Sequence, residues 1–73
     1  MEILVKGTKT DEEYNKVLER AERYSRRHIQ GCEHWEDGLP VECRRGAHGV
    51  LFITYESGKC WQYQLTEHGL EWW

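Results

Sequence analysis

The strongest structural signal in the chain lies in the sequence DEEYNKVLERAERYSRRHIQ, residues Asp11–Gln30. At 100° per residue, its apolar and small side chains fall within about 140° of arc, and charged side chains occupy most of the rest. The positions inside the arc are Tyr14, Val17, Leu18, Ala21, Tyr24, Ser25, His28 and Ile29. This pattern predicts an amphipathic helix, roughly 30 Å long, with one face against a core.

Both ends of the predicted helix carry capping signals. Thr10 is followed by Glu13 at the spacing of a capping box, in which each side chain accepts a hydrogen bond from the other residue's backbone N–H. Gly31 follows the last apolar position and is able to adopt the left-handed conformation common just after a helix. Three glutamates precede a basic residue by one helical turn, which favours ion pairs. The pairs are Glu12–Lys16, Glu19–Arg23 and Glu22–Arg26.

Two apolar runs, residues 50–55 and 60–66, flank a short polar turn and predict a β-hairpin. We predict a three-residue loop that ends at Gly58, because glycine then occupies the position where a G1 bulge requires positive φ. This register pairs Ile53 with Trp61 and gathers one apolar set on the face toward the helix. That set is Leu51, Ile53, Tyr55, Trp61 and Tyr63, with Leu65 extending it. The other face carries Val50, Phe52, Thr54, Cys60, Gln62 and Gln64.

Further strands are predicted outside the hairpin. The N-terminus alternates in hydropathy, with Met1, Ile3 and Val5 on one side, and is expected to form a first strand. The segment Val41–Arg44 is a candidate short edge strand. Residues 67–73 either add a short strand or fold back over the sheet.

The chain of 73 residues is expected to form one small domain, 1–73, because its length is about half that of a usual domain. The elements indicate an α+β fold in the order β-α-β-β-β. One amphipathic helix packs on a small, mostly antiparallel sheet of three to four strands. The expected contact is Val17, Leu18 and Ala21 on the helix against Ile53, Trp61 and Tyr63 on the hairpin.

Composition restricts the function classes. The net charge of −3 excludes a strongly basic nucleic-acid coat. The longest aliphatic or aromatic run, residues 50–53, is far shorter than the roughly 20 residues of a membrane span. The N-terminus lacks the basic start and the longer apolar stretch of a secretion signal. An odd number of cysteines, three, argues against a disulfide framework and for free thiols in the cytoplasm.

Cysteine and histidine cluster loosely in the middle of the chain, and both are ligands of structural zinc. The candidate ligands are Cys32, His34, Cys43 and His48. Their spacing contains no CxxC pair, and one residue between Cys32 and His34 is tight for a chelating loop. The simpler interpretation is a buried cysteine and exposed loop histidines, so no cofactor is expected. A zinc-stabilised domain, with or without nucleic-acid contact, is the alternative.

Polar residues of the helix have structural interpretations. His28 lies within the apolar arc, where we interpret it as a cation near the negative end of the helix dipole rather than as a ligand or a base. Ser25 is expected to bond to a backbone carbonyl one turn earlier. The helix arginines are matched by glutamates four residues earlier, which argues against a nucleic-acid surface. No glycine-rich phosphate loop or serine–histidine–aspartate arrangement is recognisable, which argues against an enzyme.

A non-enzymatic protein-interaction or regulatory module is the remaining function class. The second sheet face carries Val50 and Phe52 beside glutamines, and Trp35, Trp72 and Trp73 lie in loop or tail positions. Aromatic side chains are enriched at interface hot spots. We therefore predict that these five residues contact an unknown protein partner or a second copy of the chain. The alternative is that the loop and the tail fold over that face and bury the rings.

Overall fold

The computed structural model describes residues 3–73 of the chain. In chain order this range forms β1 (Leu4–Lys6), α1 (Asp11–Gln30), β2 (Pro40–Arg45), a short 3-10 turn (Ala47–Gly49), β3 (Leu51–Tyr55), β4 (Cys60–Thr66) and β5 (Gly69–Trp72). The predicted α+β class and the bounds of the helix are confirmed. Met1, predicted to belong to the first strand, lies outside the described residues. No helix in the range is long and apolar enough to span a membrane.

The strands form one sheet in the order β1-β2-β3-β4-β5. β1 runs parallel to β2, with Val5 beside Cys43, whereas the other neighbours are antiparallel. The described range thus has five strands instead of three to four, because the tail pairs with β4 through contacts such as Leu65–Leu70. The strand predicted at Val41–Arg44 is present within β2. Its predicted place at the edge was wrong, since β1 pairs with the other side of β2 and makes it an inner strand.

The hairpin of β3 and β4 has the predicted three-residue loop. The backbone N–H of Tyr55 donates to the carbonyl of Lys59 over 2.9 Å, and Gly58 has a φ of +92°. Ile53 pairs with Trp61, as predicted. The odd-numbered side chains of β3 therefore face α1, and the even-numbered ones face the open side of the sheet.

The start of α1 is capped as expected, but its end is not. The side-chain oxygen of Thr10 accepts from the backbone N–H of Glu13 over 3.1 Å. The Glu13 carboxylate accepts from the N–H of Lys9 over 2.9 Å, instead of from Thr10. Gly31 has a φ of −83° and does not adopt the left-handed conformation that glycine allows. Its N–H donates to the carbonyl of Arg27 and continues the helical hydrogen bonding.

The core lies where α1 packs across β1, β2 and β3. Its buried members are Ile3, Val17, Ala21, Tyr24, Cys43, Leu51, Ile53, Tyr55 and Tyr63. The predicted contact between the helix face and the hairpin face is therefore confirmed, with Leu18 and Trp61 partly buried at its margin. Leu65 lies on this face, as predicted, and lines cavities with Arg23 and Tyr24 of α1. It is nevertheless 59% exposed, because α1 packs over β1 to β3 and leaves this end of β4 uncovered.

The polar groups of α1 follow the sequence pattern in part. The hydroxyl of Ser25 donates to the carbonyl of Glu22 over 3.2 Å, as predicted. The predicted ion pairs that form are Lys16–Glu12 at 3.1 Å and Arg23–Glu19 at 3.8 Å. Both are solvent-exposed, so each contributes little to stability.

Candidate functional site

His28 lies near the end of α1 and is removed from solvent. Its side chain is 4% exposed, and its Nδ1 atom lies 2.6 Å from the hydroxyl oxygen of Tyr63 on β4. The hydroxyl of Tyr63 also lies 2.5 Å from that of Tyr55 on β3. A chain of three hydrogen-bonding groups therefore connects the helix to β3 and β4, the two strands of the hairpin.

Three tryptophans surround the His28 ring. The ring centroids of Trp35, Trp61 and Trp72 lie 4.7, 4.8 and 4.4 Å from it. Trp72 stacks at an interplanar angle of 25°, and the other two approach edge-on. The three indoles come from the loop after α1, from β4 and from β5, so only the folded chain unites them. We call His28, its two tyrosines and its three tryptophans the histidine cluster.

Asp37 connects the loop after α1 to the hairpin through hydrogen bonds. Its carboxylate accepts from the indole Nε1 of Trp61 over 3.1 Å and from the hydroxyl of Ser57 over 2.8 Å. The indole of Trp35 donates to the carbonyl of Gly38 over 2.6 Å. These bonds satisfy two of the three indole donors, which would otherwise lose their hydrogen bonds to water on burial.

Burial sets the protonation of the histidine cluster. Removal from water lowers the pKa of His28 from its ordinary value of 6.5, and the nearby charge of Asp37 offsets only part of this change. Burial also raises the pKa of both Tyr55 and Tyr63. The chain from Tyr55 to His28 is therefore uncharged at neutral pH. The interpretation of His28 as a helix-end cation was wrong, and its place in the apolar arc was the signal for burial.

The histidine cluster is filled by its own side chains. Its hydrogen bonds form a continuous path from Tyr55 through Tyr63 to His28. The cavities that flank α1 are lined by other residues. The histidine cluster holds the loop after α1 and the strand β5 against the helix.

A groove with apolar walls runs between α1 and β1. Two adjoining cavities of about 550 and 290 Å³ lie in it, and both are lined by Ile3 and Glu22. The larger is also lined by Tyr14, Leu18 and Val41. The smaller is also lined by Ser25, Arg26, Ile29, Gln30, Leu39 and Pro40. We call this feature the β1 groove.

Two of the five residues predicted to bind a partner belong to the histidine cluster. Trp35 is partly buried, and Trp72 is 37% exposed with one face against His28. Trp72 pairs with Tyr63 across β4 and β5, which places it on the helix side of the sheet. The loop after α1 places Trp35 on the helix side, and the tail extends the sheet as β5. The alternative interpretation, in which the loop and the tail cover the open side, was therefore wrong.

The other three residues lie apart on the open side. The ring of Phe52 on β3 is covered by the guanidinium of Arg44, 5.0 Å from the ring centroid. Val50 precedes β3 and is partly buried. Trp73 follows β5 and exchanges two backbone hydrogen bonds with Gln62. Phe52 and Trp73 lie in one row across the open side, on either side of Gln62.

The structure does not bring the four candidate zinc ligands together. Cys43 is buried in the core, where burial raises the pKa of its thiol to about 11. Cys32 and His34 are exposed in the loop after α1, and His48 is exposed in the 3-10 turn with a φ of +59°. Within residues 3–73, no three cysteine, histidine, aspartate or glutamate side chains converge on a common point.

Comparison with known protein families, with curated proteins and with solved structures finds no match to this chain. Function is therefore inferred from the geometry of the surface and of the histidine cluster.

Proposed function

We propose that the chain is a small, non-enzymatic protein-interaction module that binds an extended segment of a partner along the β1 groove. The observation that carries the proposal is the position of β1 at the edge of the sheet, where β2 is its one neighbour within residues 3–73. An edge strand presents unpaired backbone N–H and C=O groups that another strand can pair with. Strand addition at such an edge is a common way to recognise an extended peptide.

Exposed apolar side chains concentrate beside this edge. Within residues 3–73, four of the seven large hydrophobic side chains with high exposure line the β1 groove. They are Leu4, Tyr14, Leu39 and Val41. Exposed apolar surface gathered at one place is typical of an interaction site. Alternate side chains of an added strand would enter the groove, so apolar residues at every second position suit it.

The partner is either a second copy of this chain or another protein. A copy would pair its own β1 with this one across a two-fold axis, which is the commonest arrangement of dimers. β1 is only three residues long, so backbone pairing alone is a small contribution and the apolar groove must supply much of the affinity. The three free thiols support placement of this module in the reducing cytoplasm.

The test uses peptides selected from a random displayed library on the wild-type protein, followed by binding measurements with variants. Val41→Lys and Leu4→Lys place a charge at the β1 groove. Trp73→Lys places the same charge on the open side, where Trp73 is 51% exposed. We expect the two groove variants to weaken binding by about tenfold or more, because a lysine in an apolar contact loses solvation. Trp73→Lys is expected to bind as the wild type does.

Two outcomes would contradict this proposal. If Trp73→Lys loses binding and the groove variants keep it, the interaction surface is the open side with Val50, Phe52 and Trp73. If no peptide is selected and sedimentation shows a monomer at every concentration, the β1 groove is not a strand-addition site. Self-association that Val41→Lys abolishes would identify the second copy as the partner.

A further inference from the structure

We infer that the chain has a second binding surface, on the opposite side of α1, which takes an acidic segment of a partner protein. This surface lies toward β4 and β5, whereas the β1 groove lies at the other edge of the sheet. It does not depend on the proposed function of the β1 groove. We call it the arginine groove and define it by Arg20, Arg23 and Arg27 on the helix with the side chains that face them.

The three arginines lie on one stripe of the helix. Their spacing of three and then four residues places side chains one above another along α1. Two adjoining cavities of about 290 and 210 Å³ follow the stripe, and Arg23, Tyr24 and Leu65 line both. The first is also lined by Arg20, His48, Gly49 and Gln64, and the second by Arg27 and Leu70. The side-chain amide of Gln64 donates to the backbone carbonyl of His48 over 3.0 Å, which links two of the residues that line the first cavity.

The charge of the stripe is not neutralised as the sequence pattern suggested. Four residues before Arg20 and Arg27 lie Lys16 and Arg23, which are themselves basic. Within residues 3–73, Arg20 and Arg27 make no ion pair, and Arg23 reaches Glu19 only at 3.8 Å. The expectation that glutamates match the helix arginines therefore fails at Arg20 and Arg27. Exposed guanidinium groups remain that can bind carboxylates in a bidentate manner.

The floor of the arginine groove is apolar, which selects the kind of anion. Tyr24 is buried beneath it, Leu65 is 59% exposed and Leu70 is partly buried. A peptide with carboxylates and an intervening aliphatic side chain satisfies both the arginines and this floor. A nucleic-acid backbone has no aliphatic group for the floor, and the net charge of −3 repels a long polyanion.

The distance between the arginines along α1 sets the spacing of the acidic residues in a peptide that binds them. Arg20 and Arg27 are seven residues apart along α1, which corresponds to about 10 Å at a rise of 1.5 Å per residue. A peptide in the polyproline II conformation rises about 3.1 Å per residue and has three residues per turn, so side chains three positions apart lie on one face, about 9 Å apart. Two carboxylates three residues apart, with leucine or isoleucine between them, therefore fit the groove.

The test measures the fluorescence anisotropy of a labelled peptide of repeated Glu-Ile-Leu-Glu units, with a Gln-Ile-Leu-Gln peptide as its neutral control. The variant is the double substitution Arg20→Gln with Arg27→Gln. The matched control is Arg26→Gln, which removes the same charge from the side of α1 that lines the β1 groove. We expect the double variant to bind the acidic peptide at least about tenfold more weakly, and Arg26→Gln to stay within about twofold. Raising the salt from about 20 to about 200 mM is expected to weaken binding.

Three results would overturn the inference. One is equal binding of the acidic and neutral peptides, and another is an equal loss in Arg26→Gln and the double variant. The third is tighter binding of a single-stranded oligonucleotide of about twelve nucleotides than of the peptide, provided that this binding requires Arg20 and Arg27. The ligand would then be a nucleic acid. Val41→Lys is expected to keep full affinity for the acidic peptide, which separates this surface from the β1 groove.

Discussion

The Nδ1 atom of His28 and the hydroxyl oxygen of Tyr63 lie 2.6 Å apart, although the two residues are 35 positions apart in the chain. This hydrogen bond joins the end of α1 to the centre of β4. The Tyr63 hydroxyl serves Tyr55 as well, so one oxygen atom satisfies two other buried polar groups. The stability of the fold should therefore respond strongly to changes at this atom.

Tyr63→Phe removes the shared hydroxyl and leaves His28 and Tyr55 without their partner. We expect the free energy of unfolding to fall by about 1–3 kcal/mol, because buried polar groups lose their hydrogen bonds. Urea denaturation measures the change. Tyr14→Phe is the matched control, since Tyr14 is exposed and its hydroxyl makes no described hydrogen bond, and its effect should stay within about 0.5 kcal/mol. Equal effects of the two substitutions would refute the role given to Tyr63.

The stability of the protein should decrease as the solution is acidified below pH 6.5. Burial lowers the pKa of His28 in the folded state, so the unfolded chain takes up a proton there before the folded chain does. The free energy of unfolding is then highest above about pH 6.5 and falls toward the folded pKa, by up to about 1.4 kcal/mol per pH unit. Asp37, whose pKa is lowered chiefly by the hydrogen bond from Trp61, loses its contribution only below its ordinary value of 3.8.

The pH dependence is measured by urea denaturation between about pH 4.5 and 8. Replacement of His28 by Gln should flatten the curve in this window, since no titrating ring remains at that position. The matched control replaces the exposed His34 by Gln, and the difference between the two variants isolates the contribution of the buried His28. A wild-type curve that is flat from pH 7 to 5 would show that the folded state protonates His28 as readily as the unfolded chain.

Trp72→Ala uncovers one face of the His28 ring. Trp72 stacks on that ring at 4.4 Å, and its loss admits water, so the pKa of His28 should rise toward 6.5. An NMR titration of the His28 ring protons reports this value directly. Trp73→Ala is the control, because Trp73 is the next residue but lies on the open side of the sheet. A similar pKa rise in both variants would mean that Trp72 does not shield His28.

Ile53→Ala and Thr54→Ala test the register of the hairpin. Ile53 is fully buried in the core and Thr54 faces the open side. We expect a loss of about 2–4 kcal/mol for the first substitution and less than about 1 kcal/mol for the second. Thermal and urea unfolding measure both values. The reverse order would indicate a slip of one residue between β3 and β4, since such a slip exchanges the two faces.

Local patterns were enough to predict α1 and the hairpin. The apolar arc, the Thr10 cap and the position of Gly58 each act over a few residues, so they specify the helix bounds, its start and the register of Ile53 with Trp61. The end of the helix was harder to predict, because Gly31 is able to adopt either sign of φ and the contacts of the following loop select one.

The remaining features depend on residues far apart in the chain. That β2 is an inner strand follows from its pairing with β1 across the whole of α1, and no local signal encodes such a partner. The same holds for Trp35, Trp61 and Trp72, whose convergence on His28 requires the loop, the hairpin and the tail to be in place together. Secondary structure and the two-residue alternation of a strand are short-range properties and can be read along the chain. Which faces are covered, and which arginines stay unpaired, follows from how the elements pack in three dimensions.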